Sequence, residues 1–374
     1  MKKLISIFTA ALLVAALSSC SSKSPADTKA PIVPSGEISV NLPDKDIMYT
    51  ENFKVTDKMI AYLLRETYSS FCDGLAELGL SAADLGIVPG QSLGSQSCAV
   101  DASVKSWLEY FAVQAEFSFT EQLVLCEAAK AEGIALDDSD NEKIDGALNE
   151  LYRTARLKGM SESAYIASVY GSTVTAGDIT SALRLSYLAE KYLRAVSDSA
   201  DTSHNALENY YAQYQSRLDT ADFLVYVFAA GETEYAEALA AQKTRDDFLE
   251  YIRYYTTEVR GLTEDEFLEL KDEHIVNTNV SKDDGDEVTS FAFSANTGDV
   301  RLIRDGNSSA LTVVMVTRSG GRNESLDENG VPMWEARARA LIEEAAVDSA
   351  KKAAAEKFPV TADRQAFYSI DIIG

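Results

Sequence analysis

Histidine is almost missing from this chain. Only His204 and His274 occur in 374 residues, far apart, so an imidazole general base or a Ser–His–Asp triad has little material. His204 lies at a polar helix start and His274 in an acidic stretch, and both read as solvated side chains. Cysteine is scarce too. Cys20, Cys72, Cys98 and Cys126 form no C-x-x-C spacing, which argues against a dithiol redox site or a zinc site. There is no phosphate-cradling or dinucleotide glycine pattern. Positive charge is in deficit: 34 Lys and Arg stand against 59 Asp and Glu, a formal net charge of −25. Such a surface disfavours nucleic acid and anionic lipid as partners. Carboxylates cluster at Asp137-Asp138-Ser139-Asp140 and at Asp283-Asp284-Gly285-Asp286. The first lacks the turn glycine and terminal Glu of a calcium loop and suits a helix N-terminus better. The second reads as a solvated loop. The inventory therefore names no catalytic residue, no metal and no cofactor.

The N-terminus is more explicit. Lys2 and Lys3 precede an apolar run from Leu4 to Leu17, and small residues lead to Cys20. This is the order of a secretory signal, and the run is shorter than the roughly 20 residues a membrane span needs. Leu17-Ser18-Ser19-Cys20 resembles the bacterial lipobox. That resemblance implies a signal peptide over 1–19, a lipid on Cys20, and an extracytoplasmic protein that meets the membrane through its lipid. Residues 20–46 then form the lipidated cysteine and a flexible tether. Their Ser, Pro, Ala and Thr content buries too little apolar surface to offset ordering.

From Thr56 to about Val196 the apolar period is helical. Thr56 caps a helix with Met59, Ile60, Leu63, Leu64, Tyr68 and Phe71 on its apolar positions. A long helix is expected from about Val100 to Glu132, with Trp107, Tyr110, Phe111 and Phe117 on its apolar side and Gly133 as its stop. Asp137 and Asp138 cap a helix to about Lys158. Ser161 opens a short one ending at Gly171, Thr175 or Asp178 opens another, and Ser203 starts a tyrosine-rich segment. Cys72 and Cys98 flank a loop-like stretch. They are either a disulfide, worth roughly 3 kcal/mol on a chain-entropy model, or two separate buried thiols. Cys126 reads as a core thiol.

At Asp222 the pattern changes. Phe223–Ala230 reads as a strand, followed by helices near Tyr235–Gln242, Arg245–Tyr255 and Glu264–Leu270. Three strand-like runs follow, at Val288–Phe293, Gly298–Ile303 and Ala310–Thr317, with Asp305-Gly306-Asn307 as a turn. Pro332 starts a long helix to about Phe358, and Ala366–Ile373 reads as a closing strand. This order gives an α+β fold with a mainly antiparallel sheet.

The stretch Ala155-Arg-Leu-Lys-Gly159-Met-Ser161, Ala164-Tyr165-Ile166, Tyr170-Gly171-Ser-Thr-Val-Thr175 and Asp178-Ile179 through Leu188-Ala189-Glu190-Lys191-Tyr192 resembles extracytoplasmic foldases of the PrsA and SurA type. Glu208-Asn-Tyr210-Tyr211 is similar to the helix that leads into that family's parvulin-type isomerase domain. The resemblance implies a mainly helical chaperone domain over 47–218, a small parvulin-like domain over 219–321, and a C-terminal helix and strand over 322–374 that return to the chaperone domain. Phe291-Ala-Phe293-Ser294 and Gly298-Asp-Val300 look like that family's "F…G-x-V" hairpin. The isomerase half departs from the pattern. The strand from Asp222 to Phe228 lacks the family's histidine, the last strand lacks a second one, and no Gly-Gly-x-Leu-Gly segment occurs.

What the resemblance implies is a membrane-anchored holder of unfolded exported polypeptides, with isomerase activity lost. Two alternatives stay open: an active peptidyl-prolyl isomerase, since rotating an X–Pro bond needs desolvation and no nucleophile, and an envelope scaffold. Tyr187, Tyr192, Tyr210, Tyr211 and Tyr214 are candidates for client contact, because tyrosine offers broad area at low entropy cost. Phe223, Phe228, Phe291 and Phe293 would supply a groove on the sheet, although strand alternation turns at least half of them inward. The acidic surface suits basic client segments.

Overall fold

The computed structural model describes residues 42, 44–282, 286–304 and 309–372. The signal segment, Cys20 and the tether up to residue 41 lie outside the described residues. So do Asp283-Asp284-Gly285, the turn Asp305-Gly306-Asn307 and Ile373. The fold is α+β: helices with two small antiparallel sheets. The chain forms two compact units, one ending at Ser199 and resuming at Ala346, the other running from Ala200 to Ala345. These divisions fall at 199/200 and 345/346, beside the expected domain bounds of 218 and 321. The reason is a small core of Leu207, Leu218, Trp334 and Ala338, which packs both flanks of the second unit onto each other.

In the first unit, β1 (Asp46–Tyr49) pairs antiparallel with β2 (Lys54–Thr56) and with β7 (Thr361–Ala362), giving the order β2-β1-β7. Helix α1 (Asp57–Glu77) starts where Thr56 Oγ1 accepts the Met59 amide at 3.3 Å. Its buried stripe of Met59, Ile60, Leu64, Tyr68, Phe71 and Leu75 is the helical period read from sequence. Helix α2 (Trp107–Ala131) begins later than expected. Ser106 accepts the Glu109 amide, and Ser103 is drawn into a turn by Asp101, so residues 100–106 stay outside the helix. Phe71, Trp107, Tyr110 and Phe111 form an aromatic cluster with ring centroids 5.3–6.2 Å apart. Phe117 is not part of the buried side; it is 66% exposed.

Helix α3 (Asp138–Leu157) opens with a capping box between Asp137 and Asp140, so the first carboxylate cluster serves as a helix start. Lys191 Nζ lies 2.6 Å from both carboxylates. Helix α4 (Glu162–Tyr170) is capped by Ser161. Thr175 and Asp178 cap α5 (Ala176–Ser199) reciprocally. Cys72 and Cys98 are free, half-buried thiols, not a disulfide. Cys126 is fully buried and donates to Leu185 O at 3.3 Å; burial pushes its thiol up to about 12.

In the second unit, α6 (His204–Gln213) and α7 (Gln215–Leu218) lead to β3 (Thr220–Phe228). The helices α8 (Thr233–Ala240), α9 (Arg245–Tyr254) and α10 (Glu264–Leu270) follow, then β4 (Val276–Ser281). Helix α11 (Glu287–Ser294), β5 (Val300–Arg304) and β6 (Leu311–Gly321) complete the sheet, in the order β4-β3-β6-β5. Alternation along β3 separates two cores. Leu224 and Phe228 pack with Val313 and Met315 beneath α8 and α9, while Ala221 and Phe223 pack with Val314 and Val316 beneath α11. The expected strand Val288–Phe293 is instead α11. Asp286 Oδ1 accepts the Thr289 amide at 2.6 Å, and this cap outweighs the β propensity of Val288 and Thr289. Strand β4 was not foreseen because Asn277 and Asn279 mask the alternation of Val276, Thr278 and Val280; Asn279 sits at φ 55 beside a register shift.

The long helix α12 (Met333–Lys357) begins in the second unit and ends in the first. The expected terminal strand is replaced by α13 (Arg364–Phe367), capped by Asp363 on the Ala366 amide. Phe367 at its end and Ile370 and Ile372 beyond it are buried.

One half-buried carboxylate is expected to make stability pH-dependent. Tyr170 OH donates to Glu66 Oε1 at 2.8 Å between α4 and α1, and the Tyr62 and Tyr170 rings lie 5.1 Å apart. Burial pushes the Glu66 carboxyl up, against the Tyr170 hydrogen bond and Arg65, with Asp73 adding to the rise. A folded-state pKa above the unfolded one means the folded protein binds the proton more tightly, so stability falls as pH rises through that window. Glu66→Gln is expected to raise stability at pH 7 by about 1 kcal/mol, the usual size for relieving one buried polar mismatch. It should also flatten the rise in Tm expected as the pH is lowered from 7; thermal melts at successively lower pH check it.

Candidate functional site

The sheet of the second unit is where the family resemblance implies isomerase chemistry, so its faces come first. Phe223 is buried on the face shared with Val314, Val316, Ile303 and Ala292, and Phe291 and Phe293 of α11 pack half-buried against the same cluster. Phe228 faces the opposite way, with ring centroids 4.8 Å from Tyr226 and 4.9 Å from Tyr255. The four phenylalanines therefore do not line one groove. Three share one core, and β3 passes between them and the fourth. Phe293 makes a further demand on the chain. A Cβ at Gly320 would stand 2.2 Å from its ring and 2.8 Å from its Cα, so β6 passes α11 only because residue 320 has no side chain.

The polar groups nearest Phe223 are already committed. Arg318 holds Asp222 in a two-pronged pair at 2.9 and 2.9 Å and donates to Thr220 O and Oγ1 at 2.8 Å each. Asp222 also accepts the Asn279 amide at 2.7 Å. A carboxylate so committed ties β3 to β4 and β6. His204 has a side chain 68% exposed, with Nδ1 3.4 Å from Glu335 and Nε2 3.8 Å from Glu208. His274 is 69% exposed beside Glu273. Neither belongs to the core around Phe223. Among the described residues no group of His, Cys, Asp and Glu forms a metal cage, and no helix is long and apolar enough to cross a membrane.

On the other face of the sheet, Tyr255 OH donates to Glu232 Oε1 at 2.6 Å, and Arg260 Nη1 lies 3.3 Å from the same oxygen. Burial and that carboxylate push Tyr255 up to about 12. Tyr226 and Tyr235 pack around it at 5.8 and 4.9 Å.

The five candidate tyrosines fall in two groups. Tyr187 and Tyr192 are on α5: Tyr187 is half-buried, and Tyr192 is buried with its hydroxyl donating to Glu132 at 3.3 Å. Tyr210, Tyr211 and Tyr214 are half-buried on and just after α6. Tyr210 and Tyr214 have ring centroids 4.6 Å apart. Tyr211 donates to Asp219 at 2.6 Å and lies 5.4 Å from the Trp334 ring. Tyr192 and Tyr211 thus serve packing first.

The sequence reading passes over Val113 and places Phe117 on the buried side. They lie one turn apart on α2 and are 47% and 66% exposed, while Trp107, Phe111, Ala115 and Phe119 hold the opposite, buried side. Extending the i, i+4 series from Trp107 would have placed Val113 and Phe117 outward.

Gly320→Ala is expected to destabilise the second unit by about 2–3 kcal/mol, the range for overpacking. Phe293→Ala in the same chain should recover part of that loss; the pair of melts, compared with each single variant, tests the contact.

No family model matches the chain, and no curated protein matches it. Among solved structures it is similar to the foldase protein PrsA of Lactococcus lactis, at 13% identity over 87% of this chain and 97% of that one, with a TM-score of 0.29. It is similar also to the foldase protein PrsA of Streptococcus pneumoniae, at 16% identity over 69% of this chain and 88% of that one, with a TM-score of 0.32. A third similar structure comes from work on two SurA-like chaperones of Campylobacter jejuni; identity is 8%, coverage 85% and 99%, and the TM-score 0.23. All three scores lie below 0.5, so the functional reading rests on this chain's own residues.

Proposed function

We propose that this protein is a lipid-anchored, extracytoplasmic chaperone that holds unfolded exported polypeptides and performs no prolyl isomerisation. The observation that carries the holding role is the outward apolar side of α2, where Val113 and Phe117 stand exposed one turn apart. Weak apolar contact of this kind shields cores and strand edges of unfolded chains from each other. Loss of isomerase chemistry is supported by the sheet of the second unit. Strand β3 carries no histidine, Phe223 is buried among aliphatic side chains, and the adjacent Asp222 is held by Arg318 and the Asn279 amide. The N-terminal pattern through Cys20 supports export and anchoring, and the net charge of −25 keeps the body soluble at the cell surface.

The test uses the chain beginning at Ser21 in two assays. It is expected to suppress aggregation of a non-prolyl client and to leave the proline-limited refolding phase of a second client unchanged. Val113→Asp with Phe117→Asp should weaken suppression several-fold without lowering Tm. Acceleration of the slow refolding phase in proportion to protein concentration would make it an isomerase, and neither effect would favour an envelope scaffold.

A further inference from the structure

A groove of about 630 Å³ opens in the first unit beside β2. Its apolar surface comes from Phe53, Met59, Ile134, Leu136, Leu185 and Leu188, supplied by the β1–β2 corner, α1, the turn after α2, and α5. Met59, Leu185 and Leu188 also belong to the unit's core, so this floor is fixed by packing. The rim is cationic: Lys54, Lys130 and Arg184 all line the opening and are exposed. Lys54 pairs with Asp46 at 3.1 Å. Lys130 and Arg184 instead meet neutral amides. Lys130 Nζ donates to Asn52 Oδ1, and Arg184 Nη1 donates to Asn141 Oδ1 at 2.9 Å. Among the described residues neither has a carboxylate within 4.0 Å. Glu127, the acid behind Asn52, accepts that residue's amide and side-chain nitrogen at 2.6 and 2.7 Å.

In a chain with 25 excess negative charges, three exposed cations gathered on the rim of one apolar floor make a local concentration of positive charge, with Asp46 facing Lys54 and Glu127 within electrostatic reach of Lys130. Strand β2 is also an outer strand of its sheet, the setting in which an extended chain is received. We propose that this groove binds an extended segment of a client polypeptide in which aliphatic or aromatic side chains are flanked by carboxylates. The inference rests on the chaperone reading and gives it a sequence preference opposite to the one the overall charge suggests. Apolar side chains enter the floor, and the flanking carboxylates meet Lys130 and Arg184, which exchange amide partners for charged ones.

The experiment compares two fluorescein-labelled peptides with one Leu-Phe-Val core, flanked by Glu in one and by Lys in the other. Binding to the full chain from Ser21 is followed by fluorescence anisotropy at about 0.1 M salt, where the Debye length is near 10 Å. The Glu-flanked peptide is expected to bind about tenfold more tightly, the size that two half-exposed charge pairs supply. Lys130→Glu with Arg184→Glu, checked for an unchanged melt, should abolish or invert the preference. Equal binding of the two peptides, tighter binding of the Lys-flanked one, or a preference that survives both charge reversals overturns the proposal. Aggregation suppression by the unaltered chain is measured alongside. Suppression with no peptide preference removes the groove and keeps the chaperone; absence of both removes the two readings together.

Discussion

The second unit depends on one guanidinium. Arg322 stacks over Trp334, its Cζ 3.6 Å from the ring centre, and stands 4.8 Å from that of Tyr211. Its two terminal nitrogens donate to Glu208 at 2.9 and 2.6 Å, and its Nε lies 2.8 Å from Glu324. Trp334 is itself buried and donates to Glu324 at 3.2 Å. One side chain from the segment after β6 thereby fixes both α6, which enters the unit, and α12, which leaves it. A cation over an indole contributes about 0.5–2 kcal/mol. The planar fork supplies the two-pronged carboxylate contact in the same geometry, and lysine cannot reproduce both. The position of the unit's boundaries at 200 and 345 follows from this clamp and the small core beneath it.

Strand β3 imposes the second constraint. It is paired on both sides, with β4 and β6, and packed on both faces. Of the nine residues of β3 only Val227, an apolar one, is exposed. Phe223 completes that core with an apolar ring, where a buried polar side chain would need a partner. The polar residues at the strand's start, Thr220 and Asp222, are absorbed by Arg318.

Legibility in the sequence tracked how local the deciding interaction is. The caps at Thr56, Asp137, Ser161 and Ser203 are legible, as are the strands at 220–228 and 311–321, expected at 223–230 and 310–317, because each depends on a few neighbouring residues. Segment 288–293 was read as a strand because its apolar content outweighed the single cap at Asp286. Strand β4 was invisible because its pairing with β3, and not its asparagine-rich sequence, holds it. The two free thiols could not be settled from spacing, since chain distance says nothing of the direction in which two Cβ atoms point. For the candidate surfaces, residue type identified the tyrosines and phenylalanines, but their orientation came from tertiary packing. The cationic groove was beyond sequence reasoning altogether: Lys54, Lys130 and Arg184 lie on three separate elements.

The three-stranded sheet of the first unit has a consequence in time. Met48 on β1 pairs with Ala362 on β7, and Ile47 O accepts the Asp363 amide at 2.8 Å. A contact spanning that much chain carries a large loop-closure entropy and forms late. The second unit lies wholly between the two partners and has its own cores, so it can be finished while the first is still open. For a chain emerging N-terminus first, the helical unit stays one strand short until the last few dozen residues have emerged. During that interval its own early strand has the same need for a partner as any other unpaired sheet edge.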